Sequence, residues 1–436
     1  MMININNKYK ECCIFWLAEY WLCGEKSICE LPISDEIPDI IKVPVKLVAI
    51  KLPDWAAHIG VDGKILIPEE ANPNSDVWHD VNWWYVIYWY VTCQAEQEYE
   101  RLQGVAHSYT LKFKGWDARM WDHAWVNRIA IFLDLWAQFS GGTVEKKSRK
   151  PELIMSHDLD AISKTWSIRL KQTAFNMFNC VRFLFKMKFK VSYKKLMNAM
   201  RFLLSNDAYN YLDIIYLERR GSLISRQIIN VYGGYIDNDK NFKSKIIDPN
   251  YDISDPELVK TLNDLYEKGI EIGLHQSTRA WDDEILMSRE REYIESSLDL
   301  KIKVCRQHWL KFSFFKTWRS QSEAGLVEDM TLGFNNRIGF RNGCALSIDI
   351  SKDSTFNIEN EFHITPMILM DSQLYDYEVL SATEIDTKLR RVLIELNEVR
   401  GVASVIWHSH TLGPDYGWRE GYHMLNALSK ELYTNE

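Results

Sequence analysis

For residues beyond about 150 this sequence predicts an α/β fold, a mainly parallel sheet with helical crossovers, and three observations carry that expectation. First, short apolar runs alternate with helix-like stretches again and again after Pro151, the pattern of a parallel sheet either open or closed into a barrel. Second, acid–base and ligand-type side chains stand just past the C-terminal ends of those apolar runs, the edge at which such sheets build their sites. Third, the texture changes near residue 150. The stretch before it is rich in tryptophan, and a run of glycines, charges and a proline, Ser140 to Pro151, separates the two parts.

Taken in order, residues 1–150 read as a Trp-rich N-terminal α/β domain. Trp125 to Trp136 has the spacing of a helix with an apolar face, and its aromatic residues read as core more than as sugar-stacking platforms. Residues 151–436 then begin with the strand Leu153-Ile154-Met155. Ser254-Asp255-Pro256-Glu257 offers a cap and a first-turn proline for a helix that Gly269 closes. Ile270 to Leu274 is the next strand, with a helix over Ser288 to Leu298. Lys303-Val304-Cys305 is another strand, and a helix runs from about Phe314 to Gly325. Thr387 to Arg400 reads as a helix stopped by Gly401, and Val402 to Trp407 as a last strand.

The charge is segregated. Ten of the Lys and Arg residues fall between Ala161 and Asn206, where there is no Asp or Glu, so the rest of the chain is strongly acidic. Phenylalanines interleave with these cations. The insertion 161–206 is therefore expected to contain amphipathic helix and to approach anionic lipid or a pyrophosphate-linked glycan. Nucleic acid is not an expected partner, because the remainder is acidic and no nucleic-acid motif occurs. The eight cysteines form no paired Cys-x-x-Cys set, so they read as free thiols in a reducing compartment. The first residues lack a secretory pattern, and no apolar run approaches the roughly 20 residues of a membrane span. The expectation is a cytoplasmic protein, peripheral to a membrane if 161–206 docks there.

Four clusters carry chemistry. In Ser156-His157-Asp158-Leu159-Asp160, two carboxylates two residues apart share a face, which is unfavourable without a cation or proton. A metal ligand beside a general base is the natural division of labour, although Asp at a strand end also caps turns. His275 ends a strand, as a ligand or as a satisfied core histidine. Arg306 and His308 share a face, where the arginine would hold a carboxylate ionised; a structural ion pair is the bland alternative. His408 and His410 share another, following Ser404-Val405-Ile406, and a histidine there suits a general acid.

At these residues the chain resembles the polysaccharide deacetylase family, carbohydrate esterase family 4, over Pro151 to about Leu428. It is most similar to the bacterial branch with a Trp-rich N-terminal extension and motifs His-Asp-x-Asp and Arg-Gln-His; Arg306 to Phe312 and Asp329 to Gly343 carry the likeness best. The resemblance implies a distorted (β/α) barrel and removal of acetyl or similar groups from amino sugars with a divalent metal, usually zinc. It implies Asp158 as the base, Asp160 and His275 as metal ligands, and Arg306, helped by Asp329, as orienting groups. His408 would be the general acid and Trp407 the flank of the acyl group, with Trp309 and His410 as further substrate contacts. The chain departs from the family at Arg279, where the second metal histidine is expected. An arginine cannot ligate a metal, so the shell would be completed by His308, His410, Ser277 or water.

The function expected is a metal-dependent hydrolase removing an acyl group, N-acetyl above all, from a sugar or lipid-linked glycan intermediate of surface-polysaccharide synthesis. The rival class is a carbohydrate- or lipid-binding protein on the same scaffold.

Overall fold

The computed structural model describes residues 5–72, 77–105, 107, 113–144, 150–205, 209, 211–217, 219–234, 247–376 and 380–433. Part of the linker run expected at Ser140 to Pro151, and the last residue of the 161–206 segment, lie outside these. The chain divides into two compact units. One comprises Met1–Leu153, Trp309–Leu369 and Val392–Ser404; the other comprises Ile154–His308, Met370–Arg391 and Val405–Glu436.

The strands are β1 (Leu47–Lys51), β2 (Lys64–Pro68), β3 (Glu152–Asp158), β4 (Ile224–Tyr232), β5 (Glu271–Gln276), β6 (Val304–Gln307), β7 (Glu328–Asp329), β8 (Ile348–Asp349), β9 (His363–Ile364), β10 (Met367–Met370) and β11 (Val402–Ile406). β1 and β2 form an antiparallel pair, and the other nine lie in the order β10-β11-β3-β4-β5-β6-β7-β9-β8. Among the described residues this is a mixed α/β fold on a nine-stranded sheet. β4 with β5, β5 with β6 and β7 with β9 are parallel, and β8 with β9 is antiparallel.

In the first unit the helix Trp83–Val91 is buried at all nine positions. A helix apolar on every side must be surrounded by protein, and each large side chain sequestered this way contributes roughly 1.5–3 kcal/mol. Asn82 starts it by accepting a hydrogen bond from Tyr85 N at 3.0 Å. Trp78 packs edge-on against Trp136 and Phe132, so these rings are core.

In the second unit β3 and β5 are buried along nearly their whole length, as parallel strands covered on both faces must be. The helix Pro256–Glu267 begins as expected, with the Asp255 carboxylate accepting from Glu257 N and Leu258 N. Two other helices start earlier than their periodicity indicates. Asp283 caps Glu284–Leu298 through Leu286 N. Ser381 and Glu384 exchange side-chain-to-backbone hydrogen bonds at the start of Ala382–Glu398, a Ser-x-x-Glu capping box. The helix expected from Phe314 begins at Thr317 instead, with the Thr317 hydroxyl accepting from Ser313 N. β4 was not foreseen, because Ser225, Arg226 and Gln227 break its apolar pattern.

Candidate metal centre

Register brings the cluster together. Across the parallel strands Tyr232 lies opposite His275, and His275 opposite Arg306. Residues far apart in sequence thus share one level at the C-terminal ends of β4, β5 and β6, while β3 delivers Asp158 and Asp160 from the adjacent position.

Asp160, His275 and His308 are grouped so that one ligand atom of each lies within 4.8 Å of the others. Asp160 Oδ1 is 3.2 Å from His275 Nε2 and 3.6 Å from His308 Nε2. Both imidazoles are committed at the other nitrogen. His275 Nδ1 donates to the Arg306 carbonyl at 3.1 Å, and His308 Nδ1 donates to Asp248 Oδ1 at 3.0 Å. Asp248 is itself fixed by Thr278 N and Oγ1.

With both rings neutral, as ligation of an ion requires, each would turn an Nε2 lone pair toward a carboxylate oxygen; with no ion between them, burial opposes charge on His275 but Asp158 and Asp160 raise its pKa. Acceptor facing acceptor in a buried place is unfavourable unless a cation or a proton lies between them. Asp160 Oδ1 is buried and makes no hydrogen bond despite these neighbours. A tetrahedral shell with bonds of about 2.0–2.1 Å has ligand atoms roughly 3.3 Å apart, close to the two separations found. Two imidazoles and a carboxylate suit zinc and other divalent transition metals, so the residues present fit a bound divalent ion. Burial disfavours charge on Asp160, but His308, then His275 and His408, hold its carboxyl well below the ordinary carboxylate range. His308, rather than a residue at position 279, is the third member of the group.

Asp158 sits beside this group and is held differently. Its Oδ1 accepts from Arg306 Nη1 at 2.9 Å and from Asn230 Nδ2 at 2.8 Å. Arg306 is fully buried and also donates to Ser156 Oγ. Burial raises the pKa of Asp158, but Arg306, His275, His408 and the Asn230 hydrogen bond outweigh it and bring it to about 2. Gly273 makes the Asn230 contact possible, since a Cβ there would stand 2.4 Å from Asn230 Oδ1.

His408 faces the same carboxylate, with Nε2 3.6 Å from Asp160 Oδ2. Its Nδ1 donates to Asp371 Oδ1 at 2.8 Å, and Asp371 Oδ2 accepts from His408 N and Thr411 Oγ1. Burial opposes charge on the ring, yet Asp371, then Asp160 and Asp158, raise its pKa to about 10. His410 stacks edge-on near His408, with centroids 5.6 Å apart. Burial and then His408 lower its pKa to about 4.

The Trp407 indole is fully buried between Tyr375 and Tyr422. Trp309 and Asp329 belong to the first unit. Trp309 is partly exposed on left-handed backbone. The buried Asp329 carboxylate accepts from Trp318 Nε1, Gln321 Nε2 and Thr331 Oγ1.

Asn230, Asp248 and Asp371 were missed in the sequence. Asp371 follows the apolar run Met367 to Met370, and Asn230 interrupts Ile228-Ile229 and Val231; both signals were of the kind used for the other clusters. Asp248 lies outside any periodic segment and gave none.

No family model matches the chain, and no curated protein matches it in sequence. Among solved structures it is similar to one described as a "putative polysaccharide deacetylase" from Mycobacterium smegmatis. The two are 12% identical, with a TM-score of 0.35 over 66% of this chain and 86% of that one.

Proposed function

We propose that the chain is a metal-dependent hydrolase that cleaves an acyl group, N-acetyl in the first instance, from an amino sugar or a lipid-linked glycan intermediate of surface-polysaccharide synthesis. One observation carries the reaction class: two histidine Nε2 atoms converge on an Asp160 oxygen that has no hydrogen bond, with a separately clamped carboxylate and a buried His–Asp pair beside it. The sugar substrate rests on the motif resemblance.

Asp160, His275 and His308 would hold the ion, which when bound supplies Lewis-acid polarisation of the acyl carbonyl and makes water acidic enough to attack. Asp158 takes the proton of the attacking water, and Arg306 and Asn230 keep its carboxylate ionised and aimed. His408, its Nδ1 held by Asp371, carries a proton on Nε2 and delivers it to the departing amine. A carbon–oxygen bond forms and the carbon–nitrogen bond breaks, giving a carboxylate and a free amine.

The test is metal content of the purified protein together with acetate release from N-acetylated oligosaccharides. Asp158→Asn should abolish release and leave metal content unchanged. Unchanged release removes the role given to Asp158. Metal without release on sugar and non-sugar amides would favour a binding protein, and a protein that retains no divalent metal would sink the hydrolase reading altogether.

A further inference from the structure

The most unusual surface lies away from the metal centre, in the basic segment. Helices Trp166–Phe185 and Phe189–Leu204 form an antiparallel hairpin within the second unit. Toward the turn their polarity is inverted, whereas Ala199 and Phe202 are buried at the other end. The buried positions include Asn176, Asn179 and Ser192. Small and polar groups tie the pair together, with Ser192 Oγ donating to the Cys180 carbonyl and Thr173 Oγ1 to the Ala199 carbonyl. Phe178, Val181 and Phe185 on the first helix, and Tyr193, Met197 and Leu204 on the second, face outward. A hairpin surrounded only by water would bury such residues and expose the asparagines. Small polar contacts inside and large apolar groups outside are the arrangement helices adopt against lipid.

The turn sharpens this. Phe185, Met187 and Phe189 are 84%, 71% and 57% exposed, and the exposed Lys186, Lys188 and Lys190 alternate with them. No acidic residue falls anywhere in 161–206. Among the described residues, no helix is long and apolar enough to cross a membrane. The foot of the hairpin is fixed: Lys164 Nζ pairs with Asp415 at 2.6 Å, and Phe202 packs on Tyr416, whose ring lies 5.1 Å from that of His410.

We propose that this hairpin docks the protein on an anionic lipid bilayer, its Phe185–Phe189 turn entering the interface and its lysines meeting the headgroups. Charge complementarity selects the occupant: alternating cations and apolar groups match an anionic interface, where each Lys or Arg contributes about 1 kcal/mol, or roughly fivefold in affinity. The hairpin stands on the loop that carries His410, so docking would hold that loop at a fixed height above the membrane. The inference does not depend on the hydrolase reading.

The test is co-sedimentation of the full chain with phosphatidylcholine vesicles with and without about 30% phosphatidylglycerol, at low salt and at about 0.15 M. Binding should require the anionic lipid and weaken with salt. Phe185→Ser with Met187→Ser and Phe189→Ser should lower vesicle affinity by at least about tenfold. Lys186→Glu with Lys188→Glu and Lys190→Glu should abolish it. Both variants should keep the thermal transition and metal content of the parent. Three results would overturn the proposal: no sedimentation with anionic vesicles at low salt, parent-like binding by the triple serine variant, or a stable dimer in solution that this variant converts to monomer.

Discussion

Two clusters that each pair a carboxylate with histidine, one in each unit, show how a saturated ion network differs from a candidate ligand site. In the first unit the buried Glu395 carboxylate is saturated. Arg128 donates to it with two nitrogens, at 2.9 and 2.6 Å, and His123 Nδ1 and Ala124 N add two more contacts. Arg128 spends its remaining nitrogen on the Ile59 carbonyl. In the second unit the Asp160 oxygen nearest His275 and His308 has no hydrogen bond, and each ring is held at Nδ1 with its Nε2 3.2 or 3.6 Å from that oxygen. Both places pair carboxylate with histidine. Only the second leaves a buried carboxylate oxygen without a hydrogen bond beside two histidine nitrogens, and that, rather than residue identity or burial, makes it a group that could hold a metal ion.

The comparison breaks most sharply by removing each carboxylate. Asp160→Asn should reduce bound divalent metal from on the order of one per chain to near zero, since an amide is a poor ligand for such an ion. Metal analysis after gel filtration reads this. Glu395→Gln should leave metal content at the parent value. It should instead destabilise the fold by about 3–5 kcal/mol, because Arg128 is left buried with half its partner gone, seen as a lower denaturation midpoint. If Glu395→Gln stripped metal, or Asp160→Asn left it bound, the distinction between the two clusters would be wrong.

Acid separates them next. Burial raises the pKa of Glu395, but His123 and Arg128 outweigh it and hold the group at about 2, against an ordinary value of 4.5. A depressed folded-state pKa adds stability that is complete above the unfolded value and disappears as pH falls through the folded one. The contribution, about 3 kcal/mol, should therefore be full above pH 4.5 and drain away toward pH 2. Denaturant midpoints for the parent and Glu395→Gln should converge over that window. Parallel curves would mean that Glu395 does not titrate there.

Much of the second cluster was legible because strand ends announce themselves: an apolar run, then Asp158, His275, Arg306 or His408. What the sequence hid was pairing. Nothing local says that Asn230 reaches Asp158 over Gly273, because that contact depends on the register of β4 against β5. Nor does spacing say that His308, not a residue near Arg279, meets Asp160, since the choice is made by the level at which β6 ends beside β5. The hairpin of 161–206 was visible as charge, whereas its inverted burial, with Asn176 and Asn179 inside and Phe178 outside, becomes apparent only when two helix faces are laid together.

The smallest expected effect probes the support of one ligand. Asp248 receives the Nδ1 proton of His308 and is anchored by Thr278, and its carboxyl is held below the ordinary range against the cost of burial, mainly by His308. It thereby fixes the tautomer and the ring angle that turn Nε2 toward Asp160. Asp248→Asn can still accept that proton through its amide oxygen, but without the carboxylate's charge. Metal affinity should fall by about 10- to 100-fold, the usual consequence of losing such a partner, while the site still fills at high metal. Competition with a chelator of graded strength measures this, and His308→Gln sets the limit for losing the ligand itself. If Asp248→Asn matched the parent and His308→Gln did too, the third ligand would lie elsewhere. If only His308→Gln lost metal, the ring would be oriented by the fold rather than by Asp248, and the contrast with the saturated Glu395 network would rest on Asp160 alone.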